Sequence, residues 1–194
     1  MTSRLSMSAA AVAGLAMIAV SSPALSESFA IDPNHSGVFF MVDHLGLARI
    51  VGRFRTLSGN LEFVVDKATA GKVEITIDPN SIDTNHAKRD EHLRSPDFFN
   101  AAEFPEISFR STAIEINGER TGRVTGDFTM LGVTKPVTMD VVFNKMGPNP
   151  MVPDQIRAGF SARGTLKRSE WGMTFGLEGI SDEVTLVVEV EAAR

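Results

Sequence analysis

The amino-acid sequence predicts an all-β protein, an antiparallel barrel of about eight strands with a short helical insertion. Three observations predict this class. Apolar and polar residues alternate from residue 29 to residue 190, which is the period of a half-buried strand. Short segments rich in glycine, asparagine and proline separate the alternating runs and favour antiparallel neighbours. About eight strands can close into a barrel with room inside for one small ligand.

The N-terminal segment, residues 1–26, has the pattern of a cleaved secretory signal peptide. Arg4 provides a positive charge, residues 9–20 are uncharged, and small residues follow, among them Ala24 and Ser26. The uncharged run is shorter than the roughly 20 apolar residues that span a bilayer. We predict cleavage after Ser26, with cleavage after Ala24 as the alternative, and export to the periplasm.

The remaining residues, 27–194, fit one globular domain with its own core. The chain has no cysteine, which excludes disulfides, thiolate metal sites and thiol chemistry. Its formal net charge of −5 argues against nucleic acid as a partner, because phosphate backbones require a clustered basic surface. A strongly anionic membrane surface would repel the protein mildly.

Five runs show the alternation of strands most clearly, and each puts its apolar residues on one face. These residues are Leu61, Phe63 and Val65; Val73, Ile75 and Ile77; Val124, Phe128 and Met130; Val137, Met139, Val141 and Phe143; and Val184, Leu186, Val188 and Val190. Turns are predicted at Asn117-Gly118, 131–136 and 147–154. Glycines at positions 37, 52, 126, 159 and 164 lie within strand-like runs, where they permit the bulges and coiling of a closed barrel.

One segment, residues 83–105, interrupts the strand pattern with good helix formers. Asp83 or Thr84 is the predicted N-cap of a helix that ends near Arg94. Ser95 and Pro96 then predict a second short helical turn. Such an insertion would lie across an open end or along the wall of the barrel, so it is a candidate lid.

The four histidines do not form a predicted metal site. In "HSGVFFMVDH", residues 35–44, a single strand would point His35 and His44 to opposite faces about 30 Å apart. His86 and His92 would lie some 120° apart around a helix, and His86 with Asp90 is predicted to make only a solvated helix-face contact. The sequence also lacks nucleophile, zinc-protease and phosphate-loop motifs. We therefore expect neither a metal nor a catalytic residue.

Several segments together resemble the YceI-like family of lipid- and polyisoprenoid-binding proteins. They are "HSGVFFMVDH", "VGRFRTLSGNLEF", "RDEHLRSPDFFNAAEFPEISFRST", "VTGDFTMLGVTKPVTMDV", "RSEWGM" and "ISDEVTLVVEVEA", in order over nearly the whole predicted mature chain. The resemblance implies a lipocalin-like extended barrel around a long hydrophobic tunnel for an isoprenoid or fatty chain. It also implies export and, in some members, a homodimer.

The family pattern HS-x-V-x-F-x-V-x-H matches His35, Ser36, Val38, Phe40, Val42 and His44, and implies that the face of Phe40 and His44 points inward. Arg89 and Arg94 lie on the candidate lid, where we hypothesise contact with a polar head group, against the alternative of surface pairing with neighbouring acids. The candidate ligand-binding residues are Val38, Phe40, Val42, His44, Phe54, Arg89, Leu93, Arg94, Phe98, Phe99, Phe109, Phe128, Met130 and Trp171.

The sequence thus favours a non-enzymatic carrier, store or scavenger of an isoprenoid or other long-chain lipid, with no cofactor besides that lipid. Lipid exchange makes transient membrane contact an expectation. Two alternatives remain open. One is an enzyme acting on the held lipid, with His44 or the turn from Arg168 to Trp171 supplying polar groups. The other is a stress-response interaction protein whose barrel is filled by side chains.

Overall fold

The computed structural model of the protein describes residues 26–64 and 68–194. The predicted signal peptide lies outside this part except for Ser26, and the prediction remains untested. Eleven strands and one α-helix are present in the described residues: β1 Ser26–Ile31, β2 Gly37–His44, β3 Ala48–Phe54, β4 Leu57–Val64, β5 Lys72–Ile77, β6 Ile82–Asp83, α1 Ala87–Arg94, β7 Ile107–Ile116, β8 Thr121–Met130, β9 Val133–Asn149, β10 Val152–Lys167 and β11 Glu183–Ala193.

Eight of the strands form a closed antiparallel ring, which confirms the predicted class. The order is β1-β4-β5-β7-β8-β9-β10-β11, and β11 returns to β1 through the pairs Ala30–Ala193 and Ile31–Ala192. The N-terminal half of β11 pairs instead with β2, which is followed by β3 and β6. The wall is therefore wider at the end where β2, β3 and α1 lie.

The alternating runs form the strands that they predict. Val124, Phe128 and Met130 of β8 are buried in the barrel, as are Val184 and Val190 of β11. In β4, Leu61 is buried, whereas the Phe63 side chain and Val65 lie outside the described part of the chain. Burial of these single faces is the main stabilising contribution to such a barrel.

Two of the strand glycines make room for inward-facing rings. A Cβ on Gly52 would lie 2.1 Å from Cζ of Phe40, and one on Gly126 would lie 2.5 Å from Cζ of Phe109. Here the glycine lets an aromatic ring lie flat against the neighbouring strand. At Gly159 the expected bulge does occur, because the β9–β10 register shifts between Gly159 and Phe160.

Two turns are shorter than predicted. The β8–β9 turn consists of Leu131 and Gly132 alone, since Met130 pairs with Val133 and Pro136 pairs with Asp127 inside the ladder. Likewise β9 and β10 extend through most of residues 147–154, leaving Pro150 and Met151 between them. Pairing between these long strands overrides the local turn preference of glycine and proline.

The helix begins later than predicted, at Ala87, and its N-cap is His86, whose Nδ1 accepts from the Arg89 N–H at 3.2 Å. Neither predicted residue caps the helix, because the Asp83 carboxylate accepts from Arg53, Arg55 and the Asn85 N–H, and the Thr84 hydroxyl donates to Asp90. Residues 95–103 form hydrogen-bonded turns and no second helix. Within the described residues, no helix is long and apolar enough to cross a membrane.

Candidate functional site

The barrel encloses a cavity of about 330 Å³ at the end covered by α1, which we call the helix-side cavity. Alternate residues of β2 line it, together with residues of β3, β8, α1 and the turns after α1. Most predicted site residues meet here: Val38, Phe40, Val42, His44, Phe54, Arg89, Leu93, Phe98, Phe99, Phe128 and Met130. The period-two pattern of β2 thus places one complete strand face on the cavity.

A second cavity of about 400 Å³ lies towards the β7–β8 hairpin, and we call it the hairpin-side cavity. Of the predicted residues it includes Phe109, and it shares Val38 and Phe128 with the first cavity. Ile77 and Leu186 also line both cavities. These four shared side chains, which we call the waist, are where the two cavities meet.

Two predicted residues are not brought to either cavity. Arg94 ends α1 outside both linings. Trp171 is buried behind the wall, where its Nε1 donates to the main-chain oxygen of Phe128 at 3.2 Å and its ring packs edge-on against the Phe128 ring. Trp171 therefore supports the wall at the waist.

Sequence reasoning did not select several residues that line the helix-side cavity. Ile77, Val184 and Leu186 already lay on predicted inward faces, so the strand period could have identified them. Phe175 and Ile180 belong to the loop of residues 172–182, which has no periodic pattern to mark them. The other residues not selected are Ile50, Thr84, His92, Ile107, Leu166, Arg168 and Met173.

The polar groups of the helix-side cavity are held by a short buried network. Asp90 accepts from both the N–H and the hydroxyl of Thr84, so Asp90 is buried and not the solvated partner of His86 that the sequence suggested. Arg89 donates through Nε and Nη2 to the hydroxyl and carbonyl oxygens of Thr84, each at 2.7 Å. Its Nη1 makes no hydrogen bond to any residue of the described part of the chain.

Arg168 fastens the 172–182 loop over the cavity. It is 3% exposed and donates to four main-chain oxygens, those of Met173, Phe175, Ile180 and Ser181, at 2.9–3.0 Å. Burial lowers the pKa of this guanidinium, and Asp182 opposes that shift. The pKa of Asp182 is lowered chiefly by the main-chain N–H of Ser169, with further contributions from the Ser169 hydroxyl and the charge of Arg168.

Three rings stand at the mouth of the helix-side cavity. His92, Phe98 and Phe175 pack edge to face with centroids 5.0–5.3 Å apart. Nε2 of His92 lies 2.8 Å from Oδ2 of Asp97. His92 and Phe175 are exposed as well as lining the cavity, so they mark its opening.

The mouth of the hairpin-side cavity differs in being charged. Glu62 and Lys72 lie 3.7 Å apart at this edge, and Arg123 lies 3.5 Å from Asp140. The guanidinium of Arg120 lies 5.9 Å from the centre of the Phe143 ring. This end thus presents paired charges of both signs to water.

Among the described residues, one group of potential metal ligands occurs away from the cavities, although the sequence predicted no metal site. Asp32, His35 and Glu191 each place a ligand atom within 4.8 Å of the others. The guanidinium of Arg157, however, donates to both carboxylates, so a cationic side chain already occupies this position. The cluster links β1, β10 and β11 where the ring closes.

The chain is similar to known proteins over most of its length. A family model described as YceI-like domain matches residues 29–192. Protein YceI of Salmonella arizonae is 39% identical over 173 residues, which cover 88% of this chain and 89% of that protein.

Solved structures share the fold. BcnA of Burkholderia cenocepacia superposes with a TM-score of 0.73 at 25% identity, covering 84% of this chain and 99% of that one. A YceI protein of Campylobacter jejuni gives 0.70 at 30% identity, with 78% and 89% covered. A polyisoprenoid binding domain from Saccharophagus degradans, implicated in plant cell wall breakdown, gives 0.65 at 15% identity, with 84% and 97% covered, a likeness of fold. Since the family model spans nearly all of the described chain, this protein belongs to the YceI-like domain family.

Proposed function

We propose that this protein binds a long isoprenoid or other amphiphilic lipid inside its barrel and serves to carry, store or sequester it. The observation that carries the proposal is the pair of neighbouring apolar cavities that share the four side chains of the waist. The Saccharophagus degradans protein of the same fold is described as polyisoprenoid binding, which supports the ligand class. The cavity volumes of about 330 and 400 Å³ also argue against the alternative in which side chains fill the barrel.

The dimensions suit a chain-like ligand. β8 lines both cavities from Gly122 to Met130, eight residue steps or about 26 Å along the strand. Contacts to hydrocarbon yield about 0.3 kcal/mol per heavy atom for larger ligands, so a chain of about 40 carbons could reach about 12 kcal/mol, or nanomolar affinity. Apolar lining is therefore sufficient for tight binding.

We propose binding without catalysis. Three polar residues at the helix-side cavity already have structural partners, since Thr84 and Asp90 bond each other and Arg168 bonds loop carbonyls. His44 also lines this cavity, and in the part of the chain that the structure describes no hydrogen bond pairs its ring with a nucleophile or an acid, as acyl or phosphoryl chemistry needs. Recovery of a chemically altered lipid after incubation would contradict this proposal.

We propose that Arg89 contacts the polar head of the ligand, because its side chain lines the helix-side cavity and Nη1 is not used by the described residues. Arg89→Gln should weaken binding of a diphosphate-headed prenyl lipid by about tenfold and flatten its salt dependence, as loss of a charge-assisted contact requires. Arg94→Gln, on the same helix but outside the lining, is the matched control. Equal affinities of the two variants in a fluorescence titration would contradict the assignment.

We propose export to the periplasm, supported by the signal pattern in residues 1–26. Cleavage after Ser26 would leave the mature chain at Glu27, which keeps all but the first residue of β1 in the barrel. Intact mass measurement of the protein from the periplasmic fraction tests this directly. A mass that retains the first 26 residues would contradict it.

Native mass spectrometry of the protein purified from its own cells, followed by solvent extraction, tests the proposed function. We expect one isoprenoid or long acyl lipid per chain. A ligand-free protein that also fails to take up prenyl lipids would overturn the proposal.

A further inference from the structure

An exposed apolar patch surrounds the mouth of the helix-side cavity. Leu45, Leu47, Phe175 and Leu177, which we call the apolar rim, are 59%, 82%, 47% and 40% exposed. The N–H of Leu45 donates to the Gly179 oxygen at 2.8 Å, so the β2–β3 turn and the 172–182 loop form one surface. Because Phe175 also lines the cavity, the rim is continuous with the apolar interior.

Leu45 has an unfavourable backbone conformation for its residue type. Its φ is +58° and that of Gly46 is +67°, and the turn is closed by the Leu47 N–H donating to the His44 oxygen at 3.0 Å. Positions with positive φ favour glycine, asparagine or aspartate, since a bulky side chain is strained there. The sequence thus places an exposed, strained leucine where asparagine would fold more easily.

The second leucine with positive φ in a hairpin shows what normally offsets this strain. Leu131, φ +52°, begins the β8–β9 turn, but it is half-buried and packs against the hydrophobic core. Leu45 lacks such burial. Burial of the Leu45 side chain against something outside the chain would offset the strain in the same way.

The two ends of the barrel differ in the surface that they present. The mouth of the hairpin-side cavity carries the charged residues Glu62, Lys72 and Arg123. Met151, at the tip of the β9–β10 hairpin, is exposed as well, but it does not line either cavity. Ile116, 53% exposed, lines the hairpin-side cavity among these charges, as Phe175 lines the helix-side cavity. At the helix-side mouth, however, three further exposed leucines, Leu45, Leu47 and Leu177, lie in the turn and loop around Phe175.

We infer that the apolar rim docks on the surface of a lipid bilayer, where a lipid passes between the membrane and the helix-side cavity without crossing water. This inference rests on the proposed function. The rim comprises on the order of 400 Å² of apolar surface, about half of what each partner of a stable dimer buries. A bilayer, by contrast, accepts a few apolar side chains in reversible contact.

The charge of the protein indicates which bilayer surface it would meet. The formal net charge is −5, and charged residues of both signs follow the rim leucines in sequence, Arg49 at the start of β3 and Glu178 in the 172–182 loop. Apolar burial, and not attraction to anionic head groups, should therefore drive docking. We expect binding to zwitterionic vesicles that persists at high salt, because salt screens charge but strengthens apolar burial.

Flotation of the protein with phosphatidylcholine vesicles, at about 0.1 M and about 1 M salt, tests the rim. The variant Leu45→Asn/Leu47→Ser removes two rim leucines that lie outside the cavity linings, and Met151→Ser is the control because Met151 is 92% exposed at another tip. We expect the vesicle partition coefficient of the double variant to fall at least about tenfold, with Met151→Ser unchanged. Thermal unfolding of the double variant should occur at the same temperature or higher, because asparagine suits positive φ.

Measurements of lipid uptake distinguish docking of the rim on a bilayer from binding of lipid in the cavity. Farnesol supplied from water should bind the double variant as it binds the parent protein, whereas extraction of a long prenol from vesicles should be at least about tenfold slower. Equal flotation or equal extraction by variant and parent would overturn the docking surface. A dimer of the parent that the double variant loses, without vesicle binding by either, would overturn it in favour of self-association.

The experiment distinguishes a wrong proposed function, in which the cavity binds no lipid, from a wrong docking surface, in which the rim does not bind the bilayer. If neither protein binds farnesol or a longer prenol, the cavity is not a lipid site, and the extraction of lipid from vesicles that the inference requires is overturned with it. If both bind farnesol but the parent does not float, the inference alone is overturned.

Discussion

Val38 lies between the two cavities, because its side chain lines both and is almost fully buried. Val38→Phe should narrow the waist and should also cost about 1–2 kcal/mol through overpacking. We expect it to reduce the affinity for long prenyl chains by at least tenfold, since about 1.4 kcal/mol is lost when only a few carbons can no longer enter. Binding of short prenols should be retained.

Val51→Phe is the matched control for this substitution, because Val51 lies on the neighbouring strand β3 and is exposed on the outer face. Calorimetric titration with short and long prenols measures the difference. The same loss of long-chain affinity in both variants would show that the waist does not limit the ligand.

Arg168 stabilises the 172–182 loop through main-chain hydrogen bonds, a role that its charge alone would not predict. Its guanidinium satisfies four main-chain oxygens of the 172–182 loop, and these acceptors would be left buried and unpaired in Arg168→Met. We expect the free energy of unfolding to fall by about 3 kcal/mol and, because Phe175 and Ile180 lose their support, weaker lipid binding.

Urea denaturation measures this loss of stability, with Arg163→Met as control since Arg163 lies exposed in β10, the strand that ends just before Arg168. Arg168→Lys should rescue little, because an ammonium group cannot reach acceptors spread around a planar guanidinium. Full stability in Arg168→Lys would contradict the assigned role.

At the scale of elements, the strands could be predicted from sequence because burial of one face imposes a period of two on each of them. β5, β8 and β11 show this directly.

The start of α1 could not be predicted, since Asp83 is used by Arg53 and Arg55, partners about 30 residues earlier in the chain. The apolar rim was also missed, because Leu45 and Leu47 stand in a turn and no exposed stripe marks them in the sequence.

The stability of the ring closure, where β1 pairs with β11, should depend on pH. β1 and β11 share two residue pairs, and beside them Asp32 contacts His35 at 2.8 Å and Arg157 at 3.0 Å. The pKa of Asp32 is lowered below its ordinary value of 3.8, chiefly by the hydrogen bond with His35, then by the Asn34 N–H and by Arg157. Its ionised form therefore contributes stability above about pH 4, and that contribution disappears as the pH falls through the lowered pKa.

Asp32→Asn should accordingly lower the unfolding temperature by about 2–4 °C at pH 7, the shift that about 1 kcal/mol produces in a domain of this size. The difference from the parent protein should shrink towards zero as the pH falls through the lowered pKa of Asp32. Circular dichroism melts over this range test it, with Asp154→Asn as control because Asp154 is exposed on β10. A difference that stays constant with pH would contradict the contribution of ionised Asp32.

At the scale of the whole molecule, the ring of eight strands and the extension formed by β2, β3 and β6 together produce two cavities and two unlike ends. Resemblance to a family predicts a single long tunnel, and period-two alternation predicts most of its lining. Neither could predict the waist, because it arises where Val38, Ile77, Phe128 and Leu186 converge from four strands that are distant in sequence. Which side chains meet across a barrel depends on strand register, which one strand's sequence does not encode.

The two-cavity arrangement predicts how ligand length affects the stability of the whole protein. A lipid that binds only the folded state raises the free energy of unfolding by about 2.7 kcal/mol at a hundredfold excess over its Kd, or about 5–10 °C here. In a series of prenols at equal concentration, the unfolding temperature should rise with each isoprene unit until both cavities are filled, and then level off. Differential scanning fluorimetry of the series measures this limit, which Val38→Phe should move to shorter chains while Val51→Phe leaves it unchanged. An early limit in the parent protein would mean that one cavity alone holds the ligand, because added units would then remain in water and contribute nothing to the folded state.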